Sequence, residues 1–215
     1  YAQLATQEMG KTIGQSRKEL DKCALICNYY ADNIKELLKD ETIKTEATKS
    51  YVTFQPLGVI LAVMPWNFPF YQVIRFAVPA LMAGNTGVLK HASNVQGCAF
   101  ALEDAFKKAG FPKGAFTNLN INSKHVKDII EDDNIVAVTL TGSEPAGRSV
   151  ASIAGQNLKK TVMELGGSDA YVILDDADIE KATDMATLGR LQNNGQTCIA
   201  AKRFIIEESV KSKFE

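Results

Sequence analysis

Two short segments late in the chain hold residue types that could do covalent chemistry. One is Glu164-Leu165-Gly166-Gly167; the other is Gln192-Asn193-Asn194-Gly195-Gln196-Thr197-Cys198. Of the 4 cysteines, Cys23, Cys27, Cys98 and Cys198, only Cys198 sits in a polar, glycine-containing turn. Backbone N–H groups in such a turn can reach a developing negative charge and favour the thiolate, which attacks carbonyl carbon. A carboxylate and a thiol so framed suggest covalent catalysis. Taken alone, a cysteine reads more readily as a buried structural thiol. The motifs that accompany Cys198 reverse that preference.

Those groups need elements to hold them. Ile13, Leu20, Ala24, Cys27, Ala31, Ile34 and Leu38 recur at helical spacing among charges, which predicts one long amphipathic helix over 12–39. Residues 40–55 are polar, rich in Thr and Lys, with Val52 and Phe54 at alternate places, and read as extended exposed chain or an edge hairpin able to pair with another subunit. From Gly58 the pattern changes to short apolar runs at 59–64, 86–90, 116–119, 135–139 and 170–174, with helical segments between them. Alternating strand and helix predicts an α/β fold with a doubly wound, mostly parallel sheet.

In such a sheet, ligands bind beyond the carboxyl ends of the strands, so the residues just past each strand matter most. After the first come Met64-Pro65-Trp66-Asn67-Phe68-Pro69. Two prolines and aromatics constrain Asn67, whose amide is a candidate donor to an oxyanion; a proline-rich turn with Asn as a helix cap is the plainer alternative. After the second come Lys90-His91-Ala92-Ser93, with a lysine placed to meet ribose or phosphate oxygens or simply solvent. After the fourth, Thr141-Gly142-Ser143-Glu144-Pro145-Ala146-Gly147 opens a helix, where Gly142 and Gly147 leave room, Ser143 caps and the helix N-terminus favours an anion. The spacing matches neither the dinucleotide fingerprint G-x-G-x-x-G nor a P-loop, and a plain capped helix start explains it as well.

Composition narrows the classes of partner. Of the 215 residues 46% are hydrophobic, enough for a substantial core. Lys+Arg 24 against Asp+Glu 25 gives a net charge of -1, without the basic, aromatic-interleaved run of a nucleic-acid binder. The apolar stretches at 59–64 and 76–82 are too short to span a bilayer, and a signal-peptide pattern is absent, so the expectation is a cytoplasmic protein acting on small molecules. Cys23 and Cys27 stand four apart, but the 2 histidines, His91 and His125, lack ligand-like spacing to them, so no structural metal is expected.

Together, Pro65-Trp66-Asn67-Phe68-Pro69, Leu140-Thr141-Gly142-Ser143, Glu164-Leu165-Gly166-Gly167 and Gly195-Gln196-Thr197-Cys198 resemble the aldehyde dehydrogenase superfamily in order and approximate spacing, along essentially the whole chain. The resemblance implies Cys198 as nucleophile, Glu164 as general base, and Asn67 with the Cys198 N–H as oxyanion donors. It implies cofactor contacts at Trp66, Lys90, Ser93, Ser143 and Leu165, with Gly142 and Gly147 shaping the pyrophosphate turn. The carboxylate Glu164 favours hydrolysis to a free acid over transfer to a thiol. Many NAD-preferring relatives have glutamate where this chain has Ser93, so NADP is expected to be accepted, alone or beside NAD. Asn120-Ile121-Asn122 stands where many relatives have a glycine-rich turn.

The text around Lys90, Glu164–Asp169 and Ala200–Glu208 is most similar to the bacterial succinate-semialdehyde dehydrogenase branch. There an arginine matching Arg75 lies near the substrate carboxylate; a salt bridge or a solvent-facing position is the alternative. The resemblance divides the chain into a helical part of the cofactor domain (1–39), the start of an oligomerisation arm (40–56), a dinucleotide-binding domain (57–165) and the first segment of a catalytic domain (166–215). Family members are roughly twice this long. The chain is therefore expected to be an internal part of a homodimeric or homotetrameric enzyme, or else a cofactor-binding fragment without turnover.

Overall fold

A computed structural model describes residues 1–215. Helix α1 (Ala2–Met9) ends at Gly10, whose φ of 84° is a left-handed cap that suits glycine. Helix α2 (Ile13–Leu37) begins where the Thr12 hydroxyl accepts the Gln15 N–H. Two short exposed strands, β1 (Glu41–Thr42) and β2 (Tyr51–Val52), then pair antiparallel, as the alternation at 40–55 suggested.

Next come β3 (Val59–Val63), α3 (Tyr71–Met82), β4 (Thr86–Lys90), α4 (Gln96–Lys108), β5 (Phe116–Asn118), α5 (Val126–Glu131), β6 (Ile135–Gly142), α6 (Glu144–Gln156) and β7 (Lys160–Leu165). The five strands form one sheet in the order β5-β4-β3-β6-β7, every neighbouring pair parallel. Side chains alternate faces along a strand, and the helices cover both. Ala62 and Leu89 lie in one core with α1, α3 and α4, whereas Leu61, Val138 and Leu140 lie in the other with α5 and α6. This is the doubly wound α/β arrangement that the alternating pattern predicts.

Two features differ from the sequence reading. Strand β7 escaped it because Lys160-Thr161-Val162-Met163-Glu164-Leu165 is a mostly exposed edge strand, without the apolar run that marks a buried one. The expected last strand exists as β8 (Ala170–Ile173), but it lies outside the central sheet. It pairs in parallel with β9 (Arg203–Ile206) in a separate two-stranded sheet. Helices α7 (Ile179–Leu191) and α8 (Glu208–Phe214) accompany that pair. No helix is long and apolar enough to cross a membrane.

Chain order sets the place of the site. From β3 the chain steps outward through β4 to β5, then returns to lay β6 on the other side of β3. The loops after β3 and β6 thus diverge in opposite directions, leaving a crevice at the carboxyl ends of these two strands.

Candidate active site

A cleft of about 380 Å³ lies at that crevice. Pro65, Trp66 and Asn67 come from the loop after β3, and Thr141, Gly142 and Ser143 from the end of β6. Glu164, Leu165 and Gly166 come from the end of β7, whose register sets Thr141 opposite Glu164 and Gly142 opposite Leu165. Gly195, Gln196, Thr197 and Cys198 complete it from the turn after α7. Three segments far apart in sequence therefore bring the candidate nucleophile, base and amide donor to one cleft.

The turn that carries Cys198 is left-handed at three successive residues, with φ of 57° at Asn193, 56° at Asn194 and 72° at Gly195. Asn and Gly adopt this region most readily, so the local sequence fits the turn. Its side chains fasten it. Asn193 Nδ2 donates to the Asn67 carbonyl at 2.8 Å, Asn194 Nδ2 to the Gly10 carbonyl at 2.7 Å, and the Thr197 hydroxyl to the Gln192 carbonyl at 3.2 Å. Asn67 answers from the other side, its Nδ2 donating to the Gln196 carbonyl at 2.9 Å while its Oδ1 accepts the Phe68 N–H. An amide nitrogen has two hydrogens, so this bond occupies one of the two that Asn67 can donate.

Cys198 is exposed, whereas Cys23 and Cys98 are buried. Burial, aided by Glu19, pushes the Cys23 thiol up to about 12, and burial with the Glu8 carboxylate also raises Cys98. Burial of this kind disfavours the thiolate that a nucleophilic cysteine needs. Burial raises exposed Cys27 as well.

Behind the Asn67 loop stands His91, fully buried. Its Nδ1 accepts the Ala92 N–H at 3.0 Å, which assigns the ring proton to Nε2, 2.9 Å from the Pro69 carbonyl that accepts it. Burial pulls the imidazole below its ordinary value, against the opposing pull of the Pro69 and Met64 carbonyls. The neutral ring thus ties the end of β4 to the loop that bears Asn67.

Some expected site residues lie beside the cleft rather than in it. Lys90 ends β4, half-buried, where desolvation lowers its pKa, and Ser93 is exposed in the turn beyond. Gly147 is buried on α6, and a Cβ there would stand 2.6 Å from Leu165 Cδ2, so its missing side chain makes room for Leu165. Arg75, on α3, lines an adjoining cleft of about 480 Å³ that shares Gln72, Thr141 and Glu164 with the first. Its guanidinium lies 3.7 Å from the Glu164 carboxylate and 3.4 Å from the Thr141 hydroxyl.

Sequence reasoning missed Gln72 and Asn193. Gln72 lines both clefts, and its Oε1 is buried without a hydrogen-bond partner. Asn193 could have been found from the run Asn-Asn-Gly, a signature of consecutive left-handed residues.

The entire chain, residues 1–215, matches the aldehyde dehydrogenase family. It belongs to that family. Among its relatives, the Synechocystis protein named probable succinate-semialdehyde dehydrogenase (NADP+) is 58% identical over 214 residues, covering 100% of this chain and 47% of the relative. The Mycobacterium tuberculosis succinate-semialdehyde dehydrogenase (NADP+) 1 is 53% identical, covering 99% and 47% respectively. The Streptococcus pyogenes succinic semialdehyde dehydrogenase, solved in complex with NADP+ as the cofactor, superposes with a TM-score of 0.97 at 44% identity. It covers 100% of this chain and 47% of that one. The chain thus spans about half the length of the aldehyde dehydrogenase relatives that it matches.

Proposed function

We propose that this chain is the cofactor-binding and nucleophile-bearing part of an NADP-dependent dehydrogenase that oxidises succinate semialdehyde to the acid. The observation that carries this reading is the meeting of Cys198, Asn67 and Glu164 in the cleft at the β3–β6 crevice. The Cys198 thiolate adds to the aldehyde carbon, and the oxygen that gains charge is held by Asn67 Nδ2 and the Cys198 N–H. Glu164 takes a proton from the water that releases the acid from the resulting thioester.

The crevice residues fit a dinucleotide. Gly142 presents no side chain, the α6 N-terminus opens beside it, and Gln72 lines the same space. Bound there, the nicotinamide would accept the hydride that leaves the thiohemiacetal carbon. Trp66, Gly142, Ser143 and Leu165 would line its path, with Gly147 giving Leu165 its room and Lys90 and Ser93 meeting the adenosine end. Ser93 leaves that end without a carboxylate, which favours a 2′-phosphate, and both curated relatives described above are named for NADP+. Ser93→Glu should shift the ratio of NADPH to NADH formation toward NADH; an unchanged ratio would remove Ser93 from the account. Arg75 would pair with the distal carboxylate of the substrate.

Residues 57–165 serve here as the dinucleotide-binding domain, completed by 1–39; residues 40–56 begin an arm that pairs with another subunit, and 166–215 begin the catalytic domain. A second reading, binding without turnover, has its own support: Leu188, Leu191 and Ile199 are left exposed. NADPH formation from succinate semialdehyde, beside a Cys198→Ala control and a direct NADPH-binding titration, separates the two. Turnover lost in the control supports the enzyme reading for this chain. Saturable binding without turnover supports the second, and neither binding nor turnover would defeat both.

A further inference from the structure

Lys11 and Glu19 form an ion pair sealed from solvent, their side chains 0% and 1% exposed. Lys11 lies in the link between α1 and α2, and Glu19 in the second turn of α2. We propose that this pair is a positioning device for the Asn67 turn and, through it, for the Cys198 turn.

The two partners grip the turn at both ends. Lys11 Nζ donates to the Asn67 carbonyl at 3.2 Å and lies 4.4 Å from the centre of the Phe68 ring. Glu19 Oε1 accepts the N–H groups of Phe70 and Tyr71, each at 2.8 Å, where the chain enters α3. The main chain from Asn67 to Tyr71 is thereby fixed to α2. With its carbonyl held by Lys11 and its Oδ1 taken by the Phe68 N–H, Asn67 has its Nδ2 aimed at the opposite turn, where it meets the Gln196 carbonyl. The same Asn67 carbonyl also accepts from Asn193 Nδ2. One oxygen thus joins the buried pair to the turn that ends in Cys198.

Fold stability alone gives such a pair little to do. Desolvating two charges offsets most of their attraction, so neutral residues of similar volume commonly stabilise an interior as well. Neutral aliphatic residues cannot donate to the Asn67 carbonyl or accept the Phe70 and Tyr71 N–H groups. The directional contacts are what the charged pair adds.

The inference takes from the proposed function only the role of Asn67 and Cys198, and its test requires neither aldehyde nor dinucleotide. In a Cys27→Ser background, Cys198 is the remaining exposed thiol, because Cys23 and Cys98 are buried. Iodoacetamide labelling of Cys198, followed by mass spectrometry, reads the geometry of its turn. Lys11→Met/Glu19→Gln removes both charges while Gln keeps an acceptor for Phe70 and Tyr71. Melting temperature and far-ultraviolet circular dichroism should stay close to those of the parent, while the labelling rate changes about fivefold, as the loss of ~1 kcal/mol of orientation implies.

Asn193→Ala should change the rate in the same direction. The two changes combined should give less than the product of their separate effects, since both act through the Asn67 carbonyl. A labelling rate within about twofold of the parent, effects that multiply fully, or a neutral-pair variant that loses its sheet would each overturn the positioning role. Labelling that behaves as expected in a chain that oxidises no aldehyde would assign turnover to a longer protein and leave the positioning role in place.

Discussion

Residues 57–165 and residues 166–215 are both α/β, yet they are held together differently. Both buried hydrophobic clusters draw every member from the chain before β7, and none from 166–215. In the latter stretch Val172, Leu174, Leu188, Leu191, Ile199 and Ile205 are each more than half exposed. The Cys198 turn is instead attached by three side-chain amides: Asn194 to Gly10, Asn193 to Asn67, and Asn67 to Gln196. Apolar packing is non-directional and sets stability, whereas hydrogen bonds set orientation. Within this chain, which spans about half the length of its relatives, the Cys198 turn is therefore placed by a few directional contacts against a body whose stability comes from elsewhere, and the two properties should respond to different substitutions.

The largest expected contrast is in stability. Leu61 is 0% exposed on the central strand β3, so Leu61→Ala should cost ~2–5 kcal/mol in urea denaturation. Ile205 is 52% exposed on β9, and Ile205→Ala should change stability by less than ~0.5 kcal/mol. Equal losses would erase the distinction between the two regions. A smaller effect is expected at the stitch itself. Asn194→Ala removes the bond to Gly10 and puts a residue with a Cβ but no local hydrogen bond at φ 56°, a local cost of ~1–2 kcal/mol. Limited proteolysis should then cut faster within 166–215 while the central sheet stays protected. Asn194→Gly, which tolerates the backbone but loses the bond, should fall between parent and Ala. A cut pattern that spreads into 57–165 would show that the two regions open together.

The same division explains which elements are legible in the amino-acid sequence. The inner strands β4, β3 and β6 are readable because burial on both faces demands apolar runs, the edge strand β5 is readable from its own short run at 116–119, and the site loops lie at the carboxyl ends of the strands, where a doubly wound sheet binds its ligands. Cys198, Glu164 and Asn67 stand out by residue type and setting, and they line one cleft. Strand β7 is hidden because an edge strand needs no apolar run, although it carries Glu164. The separate β8–β9 pair is hidden because four apolar residues do not say which sheet they join. Lys11 and Glu19 look like ordinary surface charges, since sequence spacing shows nothing of a contact made to Asn67 across the fold. Their burial depends on tertiary neighbours, and no local pattern encodes that.

The smallest expected effect sharpens the comparison by pH. The three amide stitches of the Cys198 turn contain no titratable group, whereas the Asn67 loop leans on His91. Burial lowers the folded-state pKa of His91 below 6.5; the Pro69 and Met64 carbonyls and Glu8 oppose this shift, and Lys90 adds to it. As pH falls, the unfolded chain therefore binds this proton first. The stability tied to the neutral ring is present above the unfolded-state value and is lost as pH drops from there through the folded-state one. A single proton limits the slope to about 1.4 kcal/mol per pH unit. Urea denaturation between neutral and mildly acidic pH should show this loss in the parent and a flatter curve in His91→Gln, with the difference confined below the ordinary histidine range. Parallel curves would place the acid sensitivity on another group. Under the same conditions Asn194→Gly should retain the parent's pH dependence, because the amide stitch that it removes contains no titratable group.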